Sequence, residues 1–171
     1  LKKHLLREVN YEYERQTAEK ITKLLSSDKR FKIPQYYTSL CTDKVLTMEY
    51  VNGFEVTHPR VQALSQERRN AIAQSMLELF FKEAFEWGIM QTDPNFGNYR
   101  VQLDNQQGQD KIVLLDFGSV VSYDDSFIKP VKQMIIGALQ KDQGQLIQGA
   151  IALGIMQEGF PEQVLKDFAT L

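Results

Sequence analysis

Apolar residues recur at helical spacing through a charged opening stretch, at Leu5, Val9, Tyr13, Ile21 and Leu24/Leu25, which predicts an amphipathic helix over residues 1–26. The period then shortens. Residues 31–51 predict two strands around a turn at Thr42-Asp43-Lys44, the second being Val45-Leu-Thr-Met-Glu-Tyr-Val51, which runs into Asn52-Gly53. Helical spacing returns over residues 65–88, where Ser65-Gln-Glu-Arg places capping chemistry before an apolar run and Gly88 marks the end. Glu78, Lys82, Glu83 and Glu86 interrupt the apolar stretch from Ile72 to Met90. It therefore predicts an amphipathic or buried helix and not a membrane span. Tyr99–Leu103 and Ile112–Leu115 flank the polar loop Asp104–Lys111 and predict a hairpin. Residues 124–141 and 143–157 predict helices, and 160–170 opens another. There is no internal repeat and no low-complexity tract.

Composition narrows the classes. With 171 residues, 43% of them hydrophobic, the chain can bury a sizeable core in one or at most two domains. The net charge of −2 and scattered Lys and Arg give no basic stripe for nucleic acid. Cys41 alone cannot form an intramolecular disulfide and suits a reducing compartment; beside Thr42-Asp43 it reads as a packed or surface thiol. His4 and His58 stand isolated, with no residues at metal-ligand spacing, and His58-Pro59 reads as a turn. No secretory signal is visible.

Two short segments carry the chemistry, Gln91-Thr-Asp-Pro-Asn-Phe-Gly-Asn98 and Leu114-Leu-Asp-Phe-Gly118. Asp93 and Asn98 are five positions apart, and Asp116 opens an Asp-Phe-Gly triplet after an apolar run. That order, D-x-x-x-x-N and then D-F-G, is the order of kinase-type phosphotransfer sites. Asp93-Pro-Asn alone is good turn chemistry, and Asp-Phe-Gly alone is common. The two in sequence, with a strand between, are far more specific. Mg²⁺ is a hard cation that takes one or two protein oxygens plus nucleotide phosphates, so Asn98 and Asp116 are candidate metal ligands. Asp93 is the candidate for orienting or deprotonating a nucleophile. In kinase-like proteins the strand before the inter-lobe hinge resembles Val45–Val51. On that likeness Met48 backs an adenine pocket, and the backbone of Glu49 and Val51 bonds the adenine edge.

Nearly all of residues 1 to about 160 resembles the atypical kinase-like UbiB/ABC1/ADCK family, in particular its coenzyme Q branch. The resembling residues are Glu8-Val-Asn-Tyr-Glu-Tyr-Glu14, Phe31-Lys-Ile-Pro34, Val45-Leu-Thr-Met-Glu49, Met90-Gln-Thr-Asp-Pro-Asn95 and Leu114-Leu-Asp-Phe-Gly118. Met-Gln-Thr-Asp-Pro-Asn is the most distinctive, since ordinary protein kinases carry His-Arg-Asp there. The resemblance implies an α+β, protein-kinase-like fold. Residues 1–51 are expected to form a partial N-lobe of αC-like helix, strands and hinge, and 52–171 a mostly helical C-lobe. It implies that Glu14 is the partner of a catalytic Lys. Glu8 matches the Glu of the family's Glu-x-Asp motif, with Asn10 standing where the family has Asp. A kinase-like domain also needs a nucleotide-covering loop and a strand-borne Lys further N-terminal, so these residues are expected to be a piece of a longer protein and inactive alone.

The departures from protein kinases matter as much. No Ala-Pro-Glu segment follows Asp-Phe-Gly, and Thr92 stands where an Arg would precede the catalytic Asp. Asn95 stands where many protein kinases place a phosphate-contacting Lys. Together these disfavour protein phosphorylation in trans. The expected function is an ATP- and Mg²⁺-dependent kinase-like ATPase supporting ubiquinone biosynthesis. Its expected partners are nucleotide, isoprenoid quinone intermediates and quinone-biosynthesis proteins, with peripheral membrane association. In a eukaryote the expected place is the matrix side of the mitochondrial inner membrane, and in a bacterium the cytoplasmic face of the plasma membrane. The competing classes are a non-catalytic kinase-like nucleotide- or lipid-binding module and a small-molecule phosphotransferase. The latter usually carries Asp-x-Asp or Asp-x-Glu at the second motif.

Overall fold

The computed structural model describes residues 10–105 and 109–170. Two compact units divide them. The first comprises the described residues of 1–80 with 91–121, and the second those of 81–90 with 122–171.

In the first unit, helix α1 (Tyr11–Leu24) starts at Asn10, whose side-chain oxygen accepts from the Tyr13 N–H at 3.0 Å. An Asn at this position satisfies one of the four N–H groups that a helix start leaves unpaired. The apolar stripe was expected through Tyr13, Ile21 and Leu24/Leu25. The buried stripe is instead Glu14, Ala18, Ile21 and Leu25, while Leu24 is exposed. The spacing of 4, 3 and 4 is one helix face, and it carries a carboxylate into the core. Leu5, Val9 and Glu8 lie outside the described residues.

The predicted hairpin forms. Strands β3 (Tyr99–Gln102) and β4 (Lys111–Leu114) pair antiparallel, with Tyr99 opposite Leu114 and Val101 opposite Ile112. Strand β1 (Phe31–Lys32) adds to the other edge of β4 in parallel, Phe31 with Ile112 and Lys32 with Val113, to give the order β1-β4-β3. Val101, Ile112 and Val113 are fully buried. Buried on both sides, β4 reads as the continuous apolar run that such a central strand requires. Strands β2 (Ile89–Gln91) and β5 (Val120–Ser122) form a separate two-stranded sheet.

The expected pair of strands over residues 31–51 is only partly realised. Beyond β1 there is a single antiparallel bridge, Tyr36 with Met48, flanked by Tyr37 N–H to Thr47 O at 2.9 Å and Glu49 N–H to Gln35 O at 2.7 Å. The β-branched run of Val45–Val51 favours extended backbone, but a ladder needs a continuous partner. Its partner begins after Pro34, which has no N–H, and turns into a 3₁₀ turn at Thr38–Leu40. Helices α2 (Pro59–Gln62) and α3 (Gln66–Phe85) follow, the latter three residues shorter than expected at its end.

The second unit is helical. Helix α4 (Asp125–Gln140) is capped by Asp124, and α5 (Gln143–Ala152) by Asp142. Lys141, at φ 57°, turns the chain between them. Helix α6 (Glu162–Thr170) follows. Helix α5 stops five residues before the expected limit of 157, and Gly154 at φ 71° takes a left-handed conformation just beyond it. Gly137 and Gly149 let α4 and α5 approach closely. A Cβ at Gly149 would stand 2.7 Å from the Pro130 carbonyl oxygen, and one at Gly137 would stand 2.7 Å from Leu146 N.

Candidate nucleotide and metal site

Glu14, Met48, Glu49, Val51, Asp93, Asn98 and Asp116 all belong to the first unit. Helix α1 positions Glu14 on its buried face. The Tyr13 hydroxyl donates to the Val120 carbonyl at 2.7 Å, anchoring the same turn of the helix beyond the Asp-Phe-Gly triplet. The Phe117 N–H donates to the Glu14 carboxylate. Burial pushes this carboxyl above its ordinary value, the Asp116 charge adds to the effect, and the Phe117 N–H works against both. Among the described residues no Lys or Arg forms an ion pair with Glu14 or Asp116.

Asp116 follows β4 directly. Its Oδ1 accepts from the Gly118 N–H at 2.9 Å, which fixes the carboxylate in an Asx-type turn. A Cβ at Gly118 would stand 3.5 Å from Asp116 Oδ1 and 3.6 Å from Glu14 Oε2, so both carboxylates lie against this glycine.

The Gln91 side chain ties the two motifs together. Its Nε2 donates to the Asp116 carbonyl at 3.0 Å, and its Oε1 accepts from the Asp93 N–H at 3.4 Å. Thr92 adds a second tie, through N–H and hydroxyl bonds to the Ser119 carbonyl at 3.0 and 2.6 Å. Between Asp93 and Asn98 the loop closes on itself. Asn98 Nδ2 donates to the Asp93 carbonyl at 3.2 Å, and Asn95 caps the 3₁₀ turn Phe96–Asn98 through Gly97 N–H at 2.8 Å. With Nδ2 used inward, the Asn98 amide oxygen is left for a ligand. The Asn98 carbonyl also accepts from Leu115 N–H at 3.0 Å, which sets this loop beside the Asp-Phe-Gly strand. The Asp93 side chain is exposed.

The residues expected to form a hinge lie in the same unit. Glu49 uses its N–H on Gln35 and its carboxylate on Lys32 Nζ at 2.6 Å. Val51 is half-buried in a stretch without strand pairing. Phe54 and Val101 then exchange both backbone bonds, at 2.9 and 2.7 Å, fastening the chain after Val51 to the hairpin that follows Asn98. Gly53 fits there because a Cβ would stand 2.8 Å from Arg100 Cβ.

Sequence reasoning missed Tyr36. Its hydroxyl is shielded from solvent and has no hydrogen-bond partner among the described residues. The charges of Glu14 and Asp116 bear on it, after burial itself, and oppose its ionisation. Nothing in the sequence marks this residue, since its place depends on one isolated bridge to Met48.

The donor set suits Mg²⁺ and a nucleotide. Asp116 and Asn98 supply hard oxygens, and the Glu14 carboxylate shares the contact at Gly118 with Asp116. Among the described residues no group of three or more His, Cys, Asp or Glu could hold a metal alone.

Comparison with known proteins supplies the frame for this geometry. The chain is 34% identical over 167 residues to the zebrafish (Danio rerio) protein named atypical kinase COQ8B, mitochondrial, spanning 98% of this chain and 26% of that protein. It is 32% identical over 164 residues to the Schizosaccharomyces pombe protein named atypical kinase COQ8, mitochondrial, spanning 96% and 26% respectively. The chain thus covers about a quarter of the length of these relatives. The solved structure of Mycobacterium tuberculosis Rv3197 with erythromycin superposes with a TM-score of 0.71 at 20% identity, over 96% of this chain and 41% of that one. That likeness supports the kinase-like α+β fold. A family model described as the ABC1 atypical kinase-like domain matches residues 1–150, the stretch that holds Glu14, the Asp93–Asn98 loop and Asp116, and the chain therefore belongs to that family.

Proposed function

We propose that these residues form the Mg²⁺–nucleotide site of a kinase-like ATPase, and that the full-length protein supports isoprenoid quinone biosynthesis. The observation that carries the reading is the joining of the two motifs. Gln91 and Asn98 hold Asp93 against the strand that delivers Asp116, while α1 brings a buried Glu14 to the same carboxylate. A buried acid beside a second acid is unfavourable for folding and is characteristic of functional sites.

In this reading Asp116 and the Asn98 amide oxygen hold the cation. A Mg²⁺ ion held there would supply charge neutralisation for the phosphate oxygens. Asp93 is exposed and hydrogen-bonded only through its backbone, so its carboxylate is free to orient or deprotonate a water or hydroxyl nucleophile. Glu14 awaits a cation from elsewhere in the protein. Met48 and the Glu49–Val51 backbone form the base-binding edge. The path from Gly118 runs through β5 to the α4 cap at Asp124 within a few residues, leaving no long peptide-docking segment. Protein substrates in trans are therefore not expected.

The site within the quinone pathway rests on the relatives' names. No described helix is long and apolar enough to cross a membrane. Contact with isoprenoid intermediates on the matrix side of the inner membrane in a eukaryote, or the cytoplasmic face in a bacterium, would come from other segments or from partner proteins.

The test is MgADP binding by calorimetry and ATP turnover in the full-length protein and in Asp116→Asn. The amide keeps the shape and removes the charge that holds the cation. Turnover is expected to fall by about a hundredfold or more, the range for losing a positioned electrostatic group. Wild-type protein that binds no MgADP, or an Asp116→Asn variant as active as wild type, would overturn the assignment. Efficient phosphate transfer to a generic protein substrate would overturn the exclusion of protein kinase activity.

A further inference from the structure

Asn98 is held by every polar group but its amide oxygen. Its N–H donates to the Asn95 carbonyl at 2.9 Å, its carbonyl accepts from Leu115 N–H at 3.0 Å, and its Nδ2 donates to the Asp93 carbonyl at 3.2 Å. The carbonyls on either side of it belong to Gly97 and Tyr99. Both accept from a single atom, Nη1 of Arg100, at 2.9 Å each. Arg100 sits in β3 opposite Val113 of β4, so the side chain starts from the hairpin and reaches back to the end of the Asp93–Asn98 loop. Its root is fixed as well. A Cβ at Gly53 would stand 2.8 Å from Arg100 Cβ, and Phe54 is bridged to the neighbouring Val101. The other terminal nitrogen, Nη2, lies 3.6 Å from Glu55 Oε1. Glu55 is exposed, so that ion pair contributes little. Hydrogen bonds from an ionised donor are roughly twice as strong as neutral ones, and the planar guanidinium has few ways to make both at once. The carbonyl bonds are therefore the main work of Arg100.

We propose that Arg100 is a positioning residue of the metal site. By clamping the carbonyls on both sides of Asn98, it holds the Asn98 amide oxygen where a cation shared with Asp116 would take it. The inference rests on the nucleotide reading and adds to it a residue that lies outside both motifs. Removing such an outer partner of a metal ligand costs about 10–100-fold in metal affinity.

The test uses the full-length protein and its Arg100→Met, Arg100→Lys and Glu55→Gln variants. Two quantities are read, the Mg²⁺ concentration that half-saturates ATP turnover and the affinity for ADP in excess EDTA by calorimetry. Arg100→Met keeps the apolar stem and removes the donors. It is expected to raise the half-saturating Mg²⁺ about tenfold while ADP without metal binds as in wild type. Arg100→Lys retains one donor nitrogen and is expected to recover most of the loss, and Glu55→Gln to stay within about twofold of wild type. Should Arg100→Met not fold, Arg100→Gln, whose amide ends two bonds short of Nη1, carries the same comparison. An unchanged Mg²⁺ dependence, an equal weakening of ADP with and without metal, or a loss in Glu55→Gln as large as in Arg100→Met would overturn the clamp while the nucleotide reading stands. If wild type binds no nucleotide, both fall together.

Discussion

Replacing Gly149 by Ala should destabilise the second unit, whereas the same change at Gly144, five residues earlier in the same helix, should not. A Cβ at Gly149 would stand 2.6 Å from Met134 Cγ, 2.7 Å from the Pro130 carbonyl oxygen and 3.1 Å from Met134 N. The Met134 side chain can rotate away, but the Pro130 carbonyl is backbone. Ordinary contact begins at 3.4 Å, so α5 must retreat from α4 by 3.4 − 2.7 = 0.7 Å. Overpacking of this kind costs about 1–3 kcal/mol. Alanine offsets about 0.5–1 kcal/mol of it through its better helix propensity. Because the obstruction is main chain, the upper part of the range applies, and the net loss is about 1–2 kcal/mol. At Gly144, exposed in the first turn of α5, a Cβ would meet the side-chain Asp142 Oδ1 at 3.3 Å, which needs to give by only 3.4 − 3.3 = 0.1 Å. There the propensity gain decides the sign. Thermal unfolding followed by circular dichroism separates the two, at roughly 2–4 °C per kcal/mol for a chain of this size. Gly149→Ala should lower the midpoint by roughly 2–8 °C, and Gly144→Ala should raise it by a few degrees at most. Shifts of the same sign, or an unchanged midpoint for Gly149→Ala, would refute the close-approach argument.

Two further outcomes are expected. Asn10→Ala removes the cap of α1 and should cost about 0.5–2 kcal/mol in urea unfolding, while Asn10→Asp should keep most of it; equal losses would show that the cap does not matter. The Lys32 hydrogen bond, helped by the Gln35 N–H, holds the Glu49 carboxyl below its ordinary range. Since the folded value is depressed, the stabilisation is present above the unfolded value and is lost as pH falls through the folded one. Lys32→Met should therefore move the Glu49 midpoint upward in a ¹³C-detected carboxylate titration, and an unmoved midpoint would remove Lys32 as the cause.

The parts that were legible in the sequence are those governed by local rules. The β3–β4 hairpin follows from two apolar runs around a polar loop, and helices α3 and α4 from periodicity bounded by caps. The motifs around Asp93, Asn98 and Asp116 implied a kinase-like fold and the ABC1-type family, and both hold. The stripe on α1 was shifted because Glu14 occupies a core position, and a periodicity search looks for apolar residues there. Strand pairing over residues 31–51 was over-read because β propensity reports extended backbone and not the partner it finds. The Gln91 staple and the orphaned Tyr36 hydroxyl depend on side-chain reach across the fold, which neither spacing nor composition encodes.

The parallel pairing of β1 with β4 bears on how the site is assembled in time. Phe31 meets Ile112 across 112 − 31 = 81 positions, whereas Tyr99 meets Leu114 across 114 − 99 = 15. Contacts that close long loops form late, because their entropy must be lost before packing rewards it. The hairpin flanked by Asn98 and Asp116 can therefore organise early and locally, but it holds only half of the proposed site. Glu14 reaches Asp116 across 116 − 14 = 102 positions, so that contact closes a long loop as well. A ligand that needs all these residues then binds the completed fold and no earlier species, so its affinity is stabilisation reserved for the native state. Newly made chains exposed to such a ligand would be drawn to completion by mass action at the last step of folding.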